Sequence, residues 1–166
     1  MITLLLGGAR SGKSAMAERL AATLPPPITY LATAVVDTAD LDFARRVADH
    51  RGRRPSAWST VEAGADLTTA LGEVAGSALV DSLGTWVAAH HDFDVDLAAL
   101  LGALAARTAP TVIVSEEVGS GVHPSTELGG RFRDMLGTVN RSVAEIADTV
   151  LLVVAGRGLP LERGPW

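Results

Sequence analysis

Short runs that are apolar throughout alternate along this chain with longer stretches whose apolar residues recur three and four positions apart. The first kind reads as a strand buried on both faces, the second as an amphipathic helix. On this pattern strands are predicted at Ile2–Leu6, Ile28–Ala32, Ala57–Val61, Ala78–Asp81, Thr111–Ser115 and Val150–Val154. Helices are predicted at Lys13–Thr23, Leu41–Arg51, Leu67–Val74, Leu83–His90, Val95–Arg107 and Thr126–Ala147, the last with Gly137 as the position where it would break. In the first helix Met16, Ala17 and Leu20 share a face, and Pro25-Pro26-Pro27 ends it, because proline has no amide hydrogen and clashes with the preceding turn. Strands alternating with helices through right-handed crossovers give an α/β fold, a mostly parallel sheet flanked by helices. No repeat, low-complexity segment or linker interrupts the 166 residues, so one domain over residues 1–166 is expected, with the Gly/Pro-rich tail Gly158–Trp166 loose.

Between the first strand and the first helix stands Gly7-Gly8-Ala9-Arg10-Ser11-Gly12-Lys13-Ser14. This is the phosphate-loop pattern, glycine, four residues, then Gly-Lys-Ser, in its proper strand-to-helix context. The glycines let backbone N–H groups turn inward on phosphates, and the helix start adds partial positive charge. Lys13 would reach the β- and γ-phosphates of a nucleoside triphosphate, and Ser14 would ligate Mg2+. A carboxylate at the end of a neighbouring strand is the expected second partner of the metal. Asp81, after Ala78-Leu79-Val80, fits that role; it also fits the N-cap of the helix beginning near Leu83. Glu116 and Glu117, after the strand at Thr111–Ser115, are the competing carboxylates.

Charge narrows the partners. The formal charge is −5, so the surface as a whole repels nucleic acid and anionic membrane. One stretch is the exception, with Arg45, Arg46, Arg51, Arg53 and Arg54 around His50. Arginine forks match phosphate oxygens, and cations around an imidazole disfavour its protonated form, leaving a lone pair that can attack phosphorus. The same residues would also suit a helix C-terminus, where cations oppose the dipole. His90 and His91, followed by Asp92, read as a solvated loop or as metal ligands, and His123 before Pro124 reads as a surface-loop residue. Cysteine is absent, which excludes thiol chemistry and fits a reducing compartment. Met1–Leu6 carries neither a basic leader nor a cleavage site, and no apolar run approaches the roughly 20 residues of a membrane helix. A cytoplasmic protein without stable membrane insertion is expected.

Five segments in order resemble the bifunctional adenosylcobinamide kinase/adenosylcobinamide-phosphate guanylyltransferase family of cobalamin biosynthesis. They are Gly7–Ser14; Tyr30-Leu31-Ala32-Thr33-Ala34; His50-Arg51-Gly52-Arg53-Arg54-Pro55 with Trp58-Ser59-Thr60-Val61-Glu62; Leu79–Trp86; and Glu117-Val118-Gly119-Ser120-Gly121 with Phe132-Arg133-Asp134 and Asn140-Arg141. The resemblance implies a RecA-like P-loop NTPase fold. It implies phosphorylation of adenosylcobinamide by ATP or GTP, then transfer of GMP from GTP to adenosylcobinamide phosphate through a histidine adduct. By resemblance His50 carries that adduct and Lys13 serves the kinase step. Gly7, Gly8, Ala9, Arg10, Ser11, Gly12, Lys13, Ser14, Thr33, Arg51, Gly52, Arg53, Arg54, Glu62 and Asp81 line the nucleotide site, Ser14 and Asp81 hold Mg2+, and Glu62 is the first choice for guanine. A homotrimer with sites near subunit boundaries is also implied. The sequence departs from the family at Ala34-Val35-Val36, at the spacing of Asp37 and Asp40, and at Ala88-Ala89-His90 after Trp86. Two other readings share only the loop: a kinase or NTPase of another pathway without guanylyl transfer, and a GTP-binding switch.

Overall fold

The computed structural model describes residues 1–34, 52 and 55–164. The helix predicted at Leu41–Arg51 lies outside the described residues. The strands are β1 (Ile2–Gly7), β2 (Ile28–Ala32), β3 (Ser59–Glu62), β4 (Ser77–Asp81), β5 (Thr111–Glu116), β6 (Thr149–Val154) and β7 (Arg157–Pro160). The helices are α1 (Lys13–Ala21), α2 (Leu67–Glu73), α3 (Leu83–Ala88), α4 (Leu97–Ala106) and α5 (Glu127–Ile146), with short 3-10 turns at Gly64–Asp66 and His91–Phe93. The strands form a single sheet in the order β3-β2-β4-β5-β1-β6-β7. Every pairing is parallel except β6 with β7.

Period-two alternation divides the inner strands between two apolar layers. Leu4, Leu31, Val80 and Ile113 face one side, where Leu67 and Leu71 of α2, Trp86 of α3, Leu100 and Leu104 of α4 and Leu136, Val139 and Val143 of α5 pack on them. Leu5, Tyr30, Leu79, Val112 and Val114 face the other, against Ala17 and Ala21 of α1. Trp86 is almost wholly buried, and its indole N–H donates to the Ala65 carbonyl (3.1 Å), which keeps its polar tip satisfied.

Parallel strands bring their C-terminal ends to one edge, where the connecting loops form ligand sites in open α/β sheets. Gly7 therefore lies beside Glu116, Asp81 beside both Val114 and Ala32, and Ala32 beside Glu62. Sequence distance disappears at this edge.

Several boundaries differ from the periodicity. β3 begins at Ser59 rather than Ala57 and takes in Glu62, and all four of its residues are exposed, as suits an edge strand. α1 ends at Ala21, and the chain leaves it through a turn in which Leu24 N–H donates to Ala21. α3 stops at Ala88, short of His90. α5 runs unbroken through Gly137. That glycine lies on the exposed face and costs about 1 kcal/mol of helix propensity, which the burial of Leu136, Val139 and Val143 outweighs. The tail is not loose from Gly158 onward. Ala155 and Gly156 both have positive φ (51° and 73°), the geometry of a two-residue hairpin turn, and return Arg157–Pro160 antiparallel to β6.

Arg107 fastens the N-terminal end of β4 to the helical layer. Its guanidinium donates to the carbonyls of Leu71 (2.8 Å), Val74 (3.0 Å) and Gly76 (2.6 Å), and its Nε to Thr111 Oγ1 (2.8 Å). Desolvation lowers its pKa from the ordinary arginine value. Arg107→Ala strands three carbonyls and is expected to destabilise the protein by about 2 kcal/mol or more, read as a lower urea midpoint with unchanged slope.

Candidate active site

The loop after β1 is shaped by what its glycines lack. A Cβ on Gly7 would stand 2.6 Å from Ser11 Oγ and 2.7 Å from the Val153 carbonyl, so no side chain fits there. Gly12 is left-handed (φ 91°), and Arg10 also has positive φ (57°). Ser11 N–H donates to Gly8 O (3.3 Å), and Gly156 N–H donates to Ser11 O (2.8 Å), so the β6–β7 hairpin braces the loop from behind. Gly12 caps α1 with no side-chain hydrogen bond, and no acidic residue occupies the first turn. The helix start thus keeps amide donors and partial positive charge for an anion.

Lys13 opens α1 and is about nine-tenths buried. Its Nζ donates to Gly8 O (3.4 Å) and pairs with Glu116 Oε1 (3.5 Å). The next residue, Ser14, donates its hydroxyl to Asp81 Oδ1 (3.4 Å), while the Tyr30 hydroxyl donates to Asp81 Oδ2 (2.7 Å). The structure settles one open reading of Asp81. The N-cap of α3 is Ser82, in a capping box with Thr85, so Asp81 does not cap that helix. Two oxygens facing each other, one hydroxyl and one carboxylate, suit a hard cation such as Mg2+, which takes few protein ligands and keeps waters and phosphate oxygens for the rest.

The other expected residues fall into three groups. Thr33 is fully buried; its hydroxyl donates to Ser82 O (2.6 Å) and accepts from Ser82 N–H (2.8 Å). It ties the end of β2 to the end of β4. Glu62 is exposed on β3, four strand spacings from β1, which is about 19 Å at the usual interstrand distance. The structure does not bring it to the loop. His50, Arg51, Arg53 and Arg54 lie outside the described residues; Gly52 is exposed.

Glu116 was a competitor on sequence grounds and proves to be the carboxylate at Lys13. Its Oε2 accepts from the Ser82 hydroxyl (3.0 Å) and Gly84 N–H (3.1 Å), and its carbonyl accepts from Asn140 (3.0 Å). Glu117 turns away, accepting from the amides of Gly119 (2.9 Å) and Ser120 (3.1 Å) in its own loop. The available signal was position: Glu116 ends the strand, where the loop can meet it, and Glu117 starts the next turn. Tyr30 stands in one of the segments of the family resemblance but with no role attached, since a tyrosine in an apolar strand reads as core. His90 is half-buried, with Nδ1–H donating to Trp86 O (2.9 Å) and its ring edge-on to Trp86, so it is an anchor for the end of α3 rather than a solvated residue. His123 is exposed.

This geometry belongs to the P-loop NTPases in the RecA-like arrangement, with one strand, β5, between the loop strand and the strand ending in the acidic residue. A solved ATPase from the type III secretion system of pathogenic bacteria has the same fold, with a TM-score of 0.56 and 15% identity over 91% of this chain and 50% of that one. Residues 3–161 match the family described as cobinamide kinase / cobinamide phosphate guanyltransferase, and the chain belongs to it. It is 38% identical to the bifunctional adenosylcobalamin biosynthesis protein CobP of Pseudomonas aeruginosa, covering 99% of both chains. It is 33% identical to the bifunctional adenosylcobalamin biosynthesis protein CobU of Salmonella typhimurium, over 98% of this chain and 100% of that one.

The loop's tightness is directly testable. Gly7→Ala forces Ser11 or Val153 to move and is expected to weaken triphosphate binding about tenfold or more, seen by calorimetric titration with GTP.

Proposed function

We propose that this protein phosphorylates adenosylcobinamide with ATP or GTP and then transfers GMP from GTP to adenosylcobinamide phosphate, through a GMP adduct on His50. The observation that carries the reading is the convergence of Lys13, Ser14 and Asp81 on an anion-ready helix start, in a chain matched to this family from residue 3 to residue 161.

In the first reaction the acceptor hydroxyl oxygen attacks the γ-phosphorus. The bond to the β–γ bridging oxygen breaks, and the nucleoside diphosphate leaves. Such transfers depend on positioning and charge neutralisation, which the loop amides and Lys13 supply. Ser14 and Asp81 would hold Mg2+, which neutralises charge on the phosphate oxygens when bound. In the second reaction an imidazole nitrogen of His50 attacks the α-phosphorus of GTP and pyrophosphate leaves. A phosphate oxygen of adenosylcobinamide phosphate then attacks the adduct, the P–N bond breaks, and adenosylcobinamide-GDP forms. Arg51, Arg53 and Arg54, with Gly52 among them, are assigned to the phosphates, and Glu62 to guanine at the outer strand. Thr33 serves the site by holding the ends of β2 and β4 together.

The reading extends to one nucleotide-binding domain over residues 1–166, to a homotrimer with sites near subunit boundaries and to a cytoplasmic location. Among the described residues, no helix is long and apolar enough to cross a membrane.

Incubation with α-labelled GTP and Mg2+ is expected to leave acid-labile, alkali-stable label on the protein, and His50→Ala to abolish it. Normal labelling of His50→Ala would rule out the histidine adduct. Lys13→Ala is expected to remove phosphorylation and labelling together, with GTP affinity reduced about tenfold or more by titration. Product analysis with adenosylcobinamide and GTP identifies the phosphate and the GDP adduct as separate species.

A further inference from the structure

Two carboxylates end the neighbouring strands β4 and β5, and the protein uses them differently. Asp81 is turned towards Ser14 and oriented by Tyr30. Glu116 lies beside Gly7, the first residue of the loop, and faces Lys13 instead. Its Oε2 is held by the Ser82 hydroxyl and the Gly84 amide, which leaves Oε1 directed at the lysine ammonium. Gly84 makes room for this: a Cβ there would overlap the Glu116 carboxylate. The Glu116 side chain is 30% exposed against 11% for Lys13, so it is the more accessible member of the pair.

An ion pair with lysine does not by itself need two donors and a side-chain-free neighbour on the far oxygen. That degree of fixation is what a group acting on a reacting atom requires. A triphosphate in the loop would draw Lys13 to its β- and γ-oxygens, as phosphate-loop lysines do, and would free Oε1 of that partner.

We propose that Glu116 is the general base of the phosphoryl-transfer step, an inference that rests on the kinase reading above. As the acceptor hydroxyl oxygen forms its bond to the γ-phosphorus, its proton passes to Glu116 Oε1. The electrons of the breaking P–O bond remain on the β-phosphate of the departing nucleoside diphosphate, and the proton on Glu116 is later lost to solvent. The guanylyl reactions present no hydroxyl proton. Their nucleophiles are an imidazole lone pair and a phosphate oxygen, so Glu116 has no part in them.

Glu116→Gln keeps the shape and, through its amide oxygen, the bonds from Ser82 and Gly84, but it turns an NH2 group towards Lys13 and cannot take the proton. The experiment compares full-length wild type and Glu116→Gln in three assays: phosphorylation of adenosylcobinamide, self-labelling by α-labelled GTP, and GTP affinity. The expected result is a fall of about 100-fold in kcat for phosphorylation, with labelling and GTP affinity within about threefold of wild type. Retained labelling also shows that the variant is folded. Phosphorylation within about threefold of wild type overturns the inference. So does a parallel loss of phosphorylation, labelling and affinity, which would make Glu116 only a support for Lys13. A wild-type protein that does not phosphorylate adenosylcobinamide overturns the kinase reading itself, a result distinct from either of these.

Discussion

A turn too tight for a side chain underlies the whole site. At Gly7 the backbone passes so close to Ser11 and to the Val153 carbonyl that one extra carbon has no place. This closeness lets the loop fold back over the start of α1 and aim its amides inward. It also binds the loop to the neighbouring strand β6. Val153 belongs to β6, and Gly156, in the turn after it, donates to Ser11. The β6–β7 hairpin is therefore part of the phosphate loop's support, although it follows the loop by well over a hundred residues.

The same edge joins the other strand ends through hydroxyl groups. Thr33 after β2 bonds to Ser82 after β4, and to the Thr85 hydroxyl (2.6 Å). Ser82 in turn bonds to Glu116 at the end of β5, and Asn140 of α5 joins Ser115 and Glu116 to the helical layer. A partly buried network with each member hydrogen-bonded holds its geometry better than isolated pairs would. Its position explains why residues that touch no phosphate matter to the site. Ser82 alone caps α3, orients Glu116 and receives Thr33.

Much of this was legible in the sequence, and the limits have physical causes. The inner strands declared themselves because burial on both faces demands continuous apolar runs, and Ile28–Ala32 matches residue for residue. The phosphate loop was legible because its glycines and lysine answer a local steric and electrostatic need. Edge strands are harder, since exposure removes the apolar signature: β3 starts two residues and ends one residue later than its pattern, and β7 falls in a segment that reads as loose tail. Its turn, Ala155-Gly156, lacks the Asn-Gly or Asp-Gly pair that marks such hairpins. Asp81 at a strand end reads both as a metal partner and as a helix cap in sequence, and the capping box at Ser82 removes the second reading. The choice of Glu116 over Glu117 depended on where β5 ends, and boundaries are the weakest feature of periodicity. His50 rests on its arginine neighbours and on the family resemblance, and it lies outside the described residues.

A chain of formal charge −5 is an unpromising host for a polyanion, and the local structure shows how the conflict is resolved. Net charge acts at long range and is screened within about 8–10 Å at ordinary salt. At the loop the start of α1 supplies the opposing short-range terms: amides with no side-chain cap, a first helical turn free of acids, and Lys13. A lysine that is about nine-tenths buried would be costly to leave unpaired, and Glu116 and the Gly8 carbonyl hold it. Phosphate oxygens can take over that task on binding, so the lysine exchanges one set of acceptors for another instead of being desolvated anew. The lysine's partner is then a carboxylate that stands beside the first residue of the phosphate loop. That coincidence follows from the adjacency of β1 and β5, and it is why the residue that stabilises Lys13 is also placed to take part in the chemistry.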